Sequence, residues 1–332
     1  MSEPKDCFYT SHGLRLHYAD WGNESAPPLL LIHGGGDHCR SWDRLARELR
    51  PHFHVIAPDL RGHGDSEWTK GGSYALTEYV YDILRLYEAL GIEHASIVGH
   101  SMGGMVSLIF SGTYPEKVDK LVVLDGVTVL PDASRAPTHE RMLRYVAQLK
   151  EREGKTPRGY ATIEEAAERM KKRNTRLTDE LALHLAKHAL KRDETGAFVW
   201  KFDKRQRVAA PHRLWPEDHV ALWARITCPT LLLFADRSFL FRELVVDRAT
   251  NHHLDHPLAR ERTDRFGADI RTVTQDSHSI SNLKNLVQPV ADVDDADPLC
   301  LQLADDRKQA VDFLQGECGT GLVHHDNASI LR

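Results

Sequence analysis

Ala95-Ser96-Ile97-Val98-Gly99-His100-Ser101-Met102-Gly103-Gly104 is the stretch on which the fold turns. A short apolar run, residues 95–99, ends in Gly99-His100-Ser101-Met102-Gly103, and an apolar helix-like run, residues 105–112, follows at once. This is the nucleophile-elbow pattern, a serine on a tight, strained turn between a strand and a helix. Gly99 and Gly103 lack the Cβ that would collide where the two elements approach, and glycine accepts the positive φ such turns demand. The turn lifts the Ser101 hydroxyl clear of the sheet. It also puts the Met102 amide at a helix N-terminus, where it can stabilise a developing oxyanion. The plainer reading is a Gly-rich turn whose serine caps the helix.

Composition admits a folded enzyme. The 332 residues suit one core with an insertion, and 41% hydrophobic with 8% aromatic residues is ordinary for a soluble globule. A net charge of −5 gives no reason to invoke nucleic acid or an anionic membrane. The five cysteines (Cys7, Cys39, Cys228, Cys300, Cys318) are scattered and form no C-x-x-C pair, so a reduced, cytoplasmic setting is expected. Neither a leader-like apolar segment nor a run of membrane-spanning length is evident. Twenty histidines raise the question of metal. His184 and His188 stand four apart on an expected helix, but without a neighbouring glutamate or third ligand they read as a helix face, and no metal is expected.

Working outward from the elbow, strands and helices alternate. Residues 8–10 and 14–21 flank His12-Gly13 as an antiparallel hairpin, and residues 28–33 form a continuous apolar strand buried on both faces. A helix is expected over 41–49, a strand over 54–58, and a helix over 74–90 ending at Gly91. Residues 120–124 and 230–234 are further buried strands, and 269–274 a weaker one. The order predicts a mostly parallel sheet with helices on both faces, binding ligands beyond the carboxyl ends of its strands. From 131 to about 225 no strong strand signal appears. Charged amphipathic helices are expected instead over 138–153, 163–173 and 178–191. Residues 1–130 thus read as the first part of the core, 131–225 as an all-helical lid, and 226–332 as the second part.

Three motifs in order and spacing carry a resemblance. They are His33-Gly34-Gly35-Gly36 after the third strand, Asp59-Leu60-Arg61-Gly62-His63-Gly64-Asp65-Ser66 after the fourth, and Gly99-His100-Ser101-Met102-Gly103-Gly104. With Cys228-Pro229-Thr230 before the seventh strand, the chain resembles the α/β-hydrolase superfamily, and within it the lidded serine hydrolases, over roughly residues 8–280. Trp200-Lys201-Phe202-Asp203 resembles a segment of serine-hydrolase-like proteins more weakly. The resemblance implies an α/β-hydrolase fold and an oxyanion hole made by the N–H groups of Gly35 and Met102. Residues 59–66 read as a structural loop that buttresses the elbow.

A serine hydroxyl needs a histidine base and an orienting carboxylate, and in this fold the chain order is serine, acid, histidine. The commoner acid position follows the seventh strand. Here that stretch is Ala235-Asp236-Arg237-Ser238, with aspartate two residues early. The other family position ends the sixth strand, and Leu124-Asp125-Gly126 supplies it, so Asp125 is preferred to Asp236. His278 stands at the family distance for the base, although both glycines expected before it are missing. A trace of the relatives' run beyond the histidine, Leu322-Val323-His324-His325-Asp326, comes more than forty residues later. Residues 279–320 therefore look foreign, and His324 or His325 is an alternative base.

The expectation is a serine hydrolase acting on a carboxylic ester or related small-molecule acyl substrate, with Ser101, Asp125 and His278 as its triad. No cofactor is expected, because no dinucleotide fingerprint stands at the first parallel strand. The rival readings are a non-catalytic binding protein of the same fold, and a C–C bond hydrolase or acyltransferase on the same residues.

Overall fold

The computed structural model describes residues 3–70, 74–126, 136–153, 159–208 and 214–235, with two further strands at Thr272–Val273 and Ala328–Leu331. The N-terminal hairpin pairs β1 (Lys5–Ser11) with β2 (Leu14–Asp20), turning through His12 and Gly13, both at positive φ. Four strands then run parallel: β4 (His54–Pro58), β3 (Pro28–Ile32), β5 (Ala95–His100) and β6 (Val118–Leu124). Leu29, Leu30, Leu31 and Ile32 are fully buried, as a strand covered on both faces requires.

Two cores lie on the two faces of the sheet. One joins α2 (Leu76–Leu90) and α3 (Met102–Thr113) to Ile32, Ile56 and Ile97. The other gathers Trp21, Trp42 and Phe53 with α1 (Asp43–Leu49) on Leu29, Leu31 and Val98. Helix α2 ends as expected at Gly91, which sits in the left-handed region at φ 65° while Ile92 N–H donates to the Tyr87 carbonyl. The helix expected over 41–49 is a 3-10 turn, Cys39–Trp42, followed by α1.

Between β6 and the next core strand lie α4 (Thr138–Arg152), α5 (Ile163–Arg173) and α6 (Asp179–Ala189). Thr162 and Thr178 cap the latter two, accepting from the N–H groups of Glu165 and Leu181. This stretch is not all helical. Helix α6 stops at Ala189, and β7 (Leu190–Arg192) pairs antiparallel with β8 (Phe198–Trp200). The turn between them is fixed locally: Asp193 accepts from Thr195 and Ala197 N–H, Gly196 takes φ 85°, and Phe198-Val199-Trp200 is a β-favouring run. After α7 (Pro216–Trp223), strand β9 (Thr230–Ala235) joins β6 in parallel.

The far edge of the sheet departs from expectation. Thr272–Val273 (β10), within the strand expected over 269–274, does not pair with β9. Ala328–Leu331 (β11) lies between them, antiparallel to both. Its four residues carry no pattern that separates an antiparallel insertion from a terminal tail. Among the described residues, the strands of this sheet run in the order β1-β2-β4-β3-β5-β6-β9-β11-β10. Among the described residues, no helix is long and apolar enough to cross a membrane.

Candidate active site

Strand β5 enters α3 through Ser101, whose backbone sits at φ 50° and ψ −116°. A serine held there stores strain on the order of 1–3 kcal/mol, so the surroundings must fix it. Ser101 N–H donates to the Leu124 carbonyl at 2.8 Å, and the Ser101 carbonyl accepts from Met105 N–H at 3.1 Å. The hydroxyl makes no capping hydrogen bond to α3, which removes the plainer reading of this serine as a cap. The positive φ belongs to Ser101, not to the two glycines as the sequence suggested. Their role is space alone. A Cβ at Gly99 would lie 2.5 Å from Ser107 Oγ and 2.7 Å from the Gly103 carbonyl oxygen, and one at Gly103 would lie 2.3 Å from the Ile32 carbonyl oxygen.

The loop after β3 closes over this turn. Asp37 N–H reaches back to the Gly34 carbonyl at 3.3 Å, and Gly36 takes φ 79°, as a tight turn with glycine at its third position requires. A Cβ at Gly34 would meet His100 Nδ1 at 2.8 Å and Ser101 Cβ at 3.3 Å. One at Gly35 would lie 3.6 Å from Met102 Sδ and 3.9 Å from Met102 Cβ. Gly35 thus faces Met102, the first residue of α3, whose amide has no acceptor within the helix. His33 anchors the loop. Its Nε2 accepts from Leu60 N–H at 3.0 Å, which makes Nδ1 the protonated nitrogen donating to the Gly34 carbonyl at 2.7 Å. Burial keeps this imidazole neutral, with a pKa pushed down to about 4.

Asp125 follows β6 directly, next to the elbow. It is 3% exposed, takes φ 49°, and its N–H donates to the Leu233 carbonyl at 2.7 Å. A Cβ at the adjacent Gly126 would lie 2.7 Å from the Ser101 carbonyl oxygen. Ser101, Met102, Gly35 and Asp125 therefore meet beyond the carboxyl ends of β3, β5 and β6. His278, Asp236, His324 and His325 lie outside the described residues.

Residues 59–66 form a structural loop tied to β2, to the segment after β3 and to α2. The Asp59 carboxylate accepts from Cys39 N–H at 2.7 Å and Asp65 N–H at 2.9 Å, and pairs with His17 Nδ1 at 2.8 Å. Burial alone would raise its pKa, but the His17 hydrogen bond and charge outweigh that and hold it well below the carboxylate range. The same pairing raises the His17 pKa against its own burial. Arg61 forks onto Asp82 of α2 at 2.6 and 2.7 Å, and Gly64 at φ 53° leaves no room for a Cβ beside Asp59.

Two features were not legible beforehand. His184 of α6 contacts Asp43 of α1 at 3.1 Å, with His188 close enough to complete a three-donor cluster. The Arg40 guanidinium already occupies Asp43, with Nε at 2.8 and 2.9 Å from its two oxygens, which makes the cluster an ion-pair junction rather than a cation site. The second feature is a cleft, open to solvent, between Gly36-Asp37-His38 and the α5–β8 region. Asp37 and His38 directly follow the glycine run, but nothing in their spacing signals a pocket.

The comparisons agree with this geometry. A family model described as alpha/beta hydrolase fold matches residues 27–245. Human serine hydrolase-like protein 2 is 31% identical over 213 residues, covering 63% of this chain and 65% of its own length, so the chain spans less than two thirds of that relative. The crystal structure of a hypothetical protein from Pseudomonas aeruginosa PAO1 superposes with a TM-score of 0.65 at 27% identity, covering 75% of this chain and 86% of that one. The thioesterase domain from the curacin biosynthetic pathway shares the fold at a TM-score of 0.67 and 21% identity, covering 80% and 90% of the two chains. With two thirds of its length matched by the family model, the chain belongs to the alpha/beta hydrolase fold family, whose relatives here include hydrolases.

Proposed function

We propose that this protein is a serine hydrolase that cleaves carboxylic esters or related acyl compounds, with Ser101 as nucleophile, His278 as base and Asp125 as the orienting acid. The observation that carries the reading is the strained, uncapped Ser101 at the head of α3, facing Gly35 across Met102. Nothing in packing alone calls for a serine at φ 50°, whereas a nucleophile elbow does. In this reading, Ser101 Oγ attacks the carbonyl carbon and its proton passes to His278. The oxyanion rests between the N–H groups of Gly35 and Met102, each donor worth on the order of 3–4 kcal/mol in the transition state. The alcohol leaves with the proton held by His278. Water then repeats the sequence on the acyl-enzyme, releasing the acid and restoring Ser101. Asp125 accepts from the imidazole Nδ1–H and so leaves Nε2 free to take the Ser101 proton, and residues 131–225 serve as a lid that excludes water.

The test is hydrolysis of 4-nitrophenyl butyrate by the wild-type chain and by Ser101→Ala. A release of nitrophenolate that Ser101→Ala loses by at least a hundredfold supports the reading. Equal rates, or no turnover by the wild type, would leave a binding protein on a hydrolase fold.

A further inference from the structure

The open cleft beside the oxyanion loop has a charge and a surface of its own. Arg169 and Arg173 reach it from α5 and Arg207 from the 3-10 segment Lys204–Arg207, while Trp200, Phe202 and Met170 supply apolar wall. Arg169 and Arg173 stand one helical turn apart, a like-charge spacing that costs an isolated helix a few tenths of a kcal/mol. Among the described residues no carboxylate pairs with Arg169, Arg173 or Arg207, although the chain as a whole is acidic. Three nearby cations are engaged by carboxylates: Lys201 on Asp65, Lys171 on Glu168 and Arg205 on Asp203.

A position in the last turn of α5 favours one basic residue, through the helix dipole. It does not explain why a third arginine converges from a separate segment. Asp37 is the only acid among the described lining residues, and burial pushes its pKa up to about 7, so near neutrality it only partly offsets the three cations. His38, also in the lining, is buried, and its Nδ1 has no hydrogen-bond partner among the described residues. The cleft adjoins the elbow. Gly36 lines it, and Gln206, next to Arg207, lies 3.5 Å from where a Gly35 Cβ would stand.

We propose that this cleft binds an anionic group, a carboxylate or a phosphate, at the far end of an apolar acyl chain whose ester sits at Ser101. The arginine forks take the anion and the aromatic wall takes the chain. The reaction part rests on the hydrolase reading above; the binding part does not.

Ser101→Ala separates the two, because it binds esters without turning them over. Its affinity is measured by calorimetry for monomethyl suberate, methyl 7-phosphonoheptanoate and methyl octanoate. The expected result is at least tenfold tighter binding of one of the charged esters over methyl octanoate, about 1.4 kcal/mol. The tighter of the two charged esters identifies the anion. Adding Arg169→Gln and Arg173→Gln should abolish that preference, with both charged esters binding no tighter than methyl octanoate on the same variant. Should the combined variant not fold, Arg207→Gln on the exposed segment should reduce the preference at least threefold. Equal binding of charged and neutral esters, or a preference that survives these substitutions, overturns the proposal. Arginine-dependent binding without wild-type turnover would sink the hydrolase reading and keep this one. Efficient turnover with no preference for charge would do the reverse.

Discussion

Replacing Gly103 by alanine would put a methyl carbon 2.3 Å from the Ile32 carbonyl oxygen and 2.6 Å from that of His33. An unstrained carbon–oxygen contact needs about 3.3 Å or more, so a gap of roughly 1 Å must open. Both clashing atoms are backbone. Ile32 is fixed in β3 by pairing with Gly99 of β5, and α3 is tied to the elbow by Met105 N–H on the Ser101 carbonyl. No side chain can swing away, so α3 has to lift from the sheet and take the Met102 amide with it. Overpacking of this kind costs about 1–3 kcal/mol. Alanine is otherwise the better helix former by about 1 kcal/mol, which makes the sign diagnostic: an uncrowded site would be stabilised. Urea denaturation should show Gly103→Ala less stable by about 1 kcal/mol, the overpacking cost less the helix-propensity gain. A 1 Å displacement of the catalytic geometry should lower kcat/KM for 4-nitrophenyl butyrate on the order of a hundredfold. A Gly103→Ala protein as stable and active as wild type would refute the packing argument for the elbow.

Other outcomes follow from the same geometry. Asp125→Asn should lower kcat by several orders of magnitude by favouring the wrong imidazole tautomer, with Asp236→Asn mild; the reverse result moves the acid to the later strand. Arg61→Met should cost about 3–5 kcal/mol in urea denaturation by stranding the buried Asp82 carboxylate, and Arg61→Met with Asp82→Leu should recover much of the loss. Stability should also fall on acidification. Burial holds His33, His38, His100 and His188 at about 4 and His63 at about 3, so the folded chain keeps them neutral where the unfolded chain, near 6.5, takes up protons. Their contribution is present above about pH 6.5 and lost as the pH falls toward 4. Asp37, raised to about 7, works in the opposite sense and offsets one of the five. Between pH 6 and 5 the loss should approach about 5 kcal/mol per pH unit, and a flat stability over that range contradicts the neutral-imidazole assignment.

The parallel core was legible because its strands are covered on both faces and read as unbroken apolar runs. Residues 28–32, 54–58 and 95–99 stand where those runs placed them. The elbow was legible because glycine at two fixed positions has a steric meaning, though the strain itself falls on Ser101, which no composition rule marks. The β7–β8 hairpin was missed because three-residue strands fall below the length at which alternation can be counted, and α6 masks the first of them. The antiparallel strand Ala328–Leu331, set between β9 and β10, was missed because its pairing with β9 depends on a partner more than ninety residues away. The arginine cleft was missed because its charges converge from α5 and the Lys204–Arg207 segment only in three dimensions.

The central claim is that Ser101 is an activated nucleophile. Incubation with a fluorophosphonate probe, followed by intact mass and peptide mapping, reads this directly. The account predicts one stoichiometric phosphonyl adduct, mapped to Ser101 and absent from Ser101→Ala. Wild-type protein that labels no more than Ser101→Ala, or an adduct mapped to another residue, would contradict it.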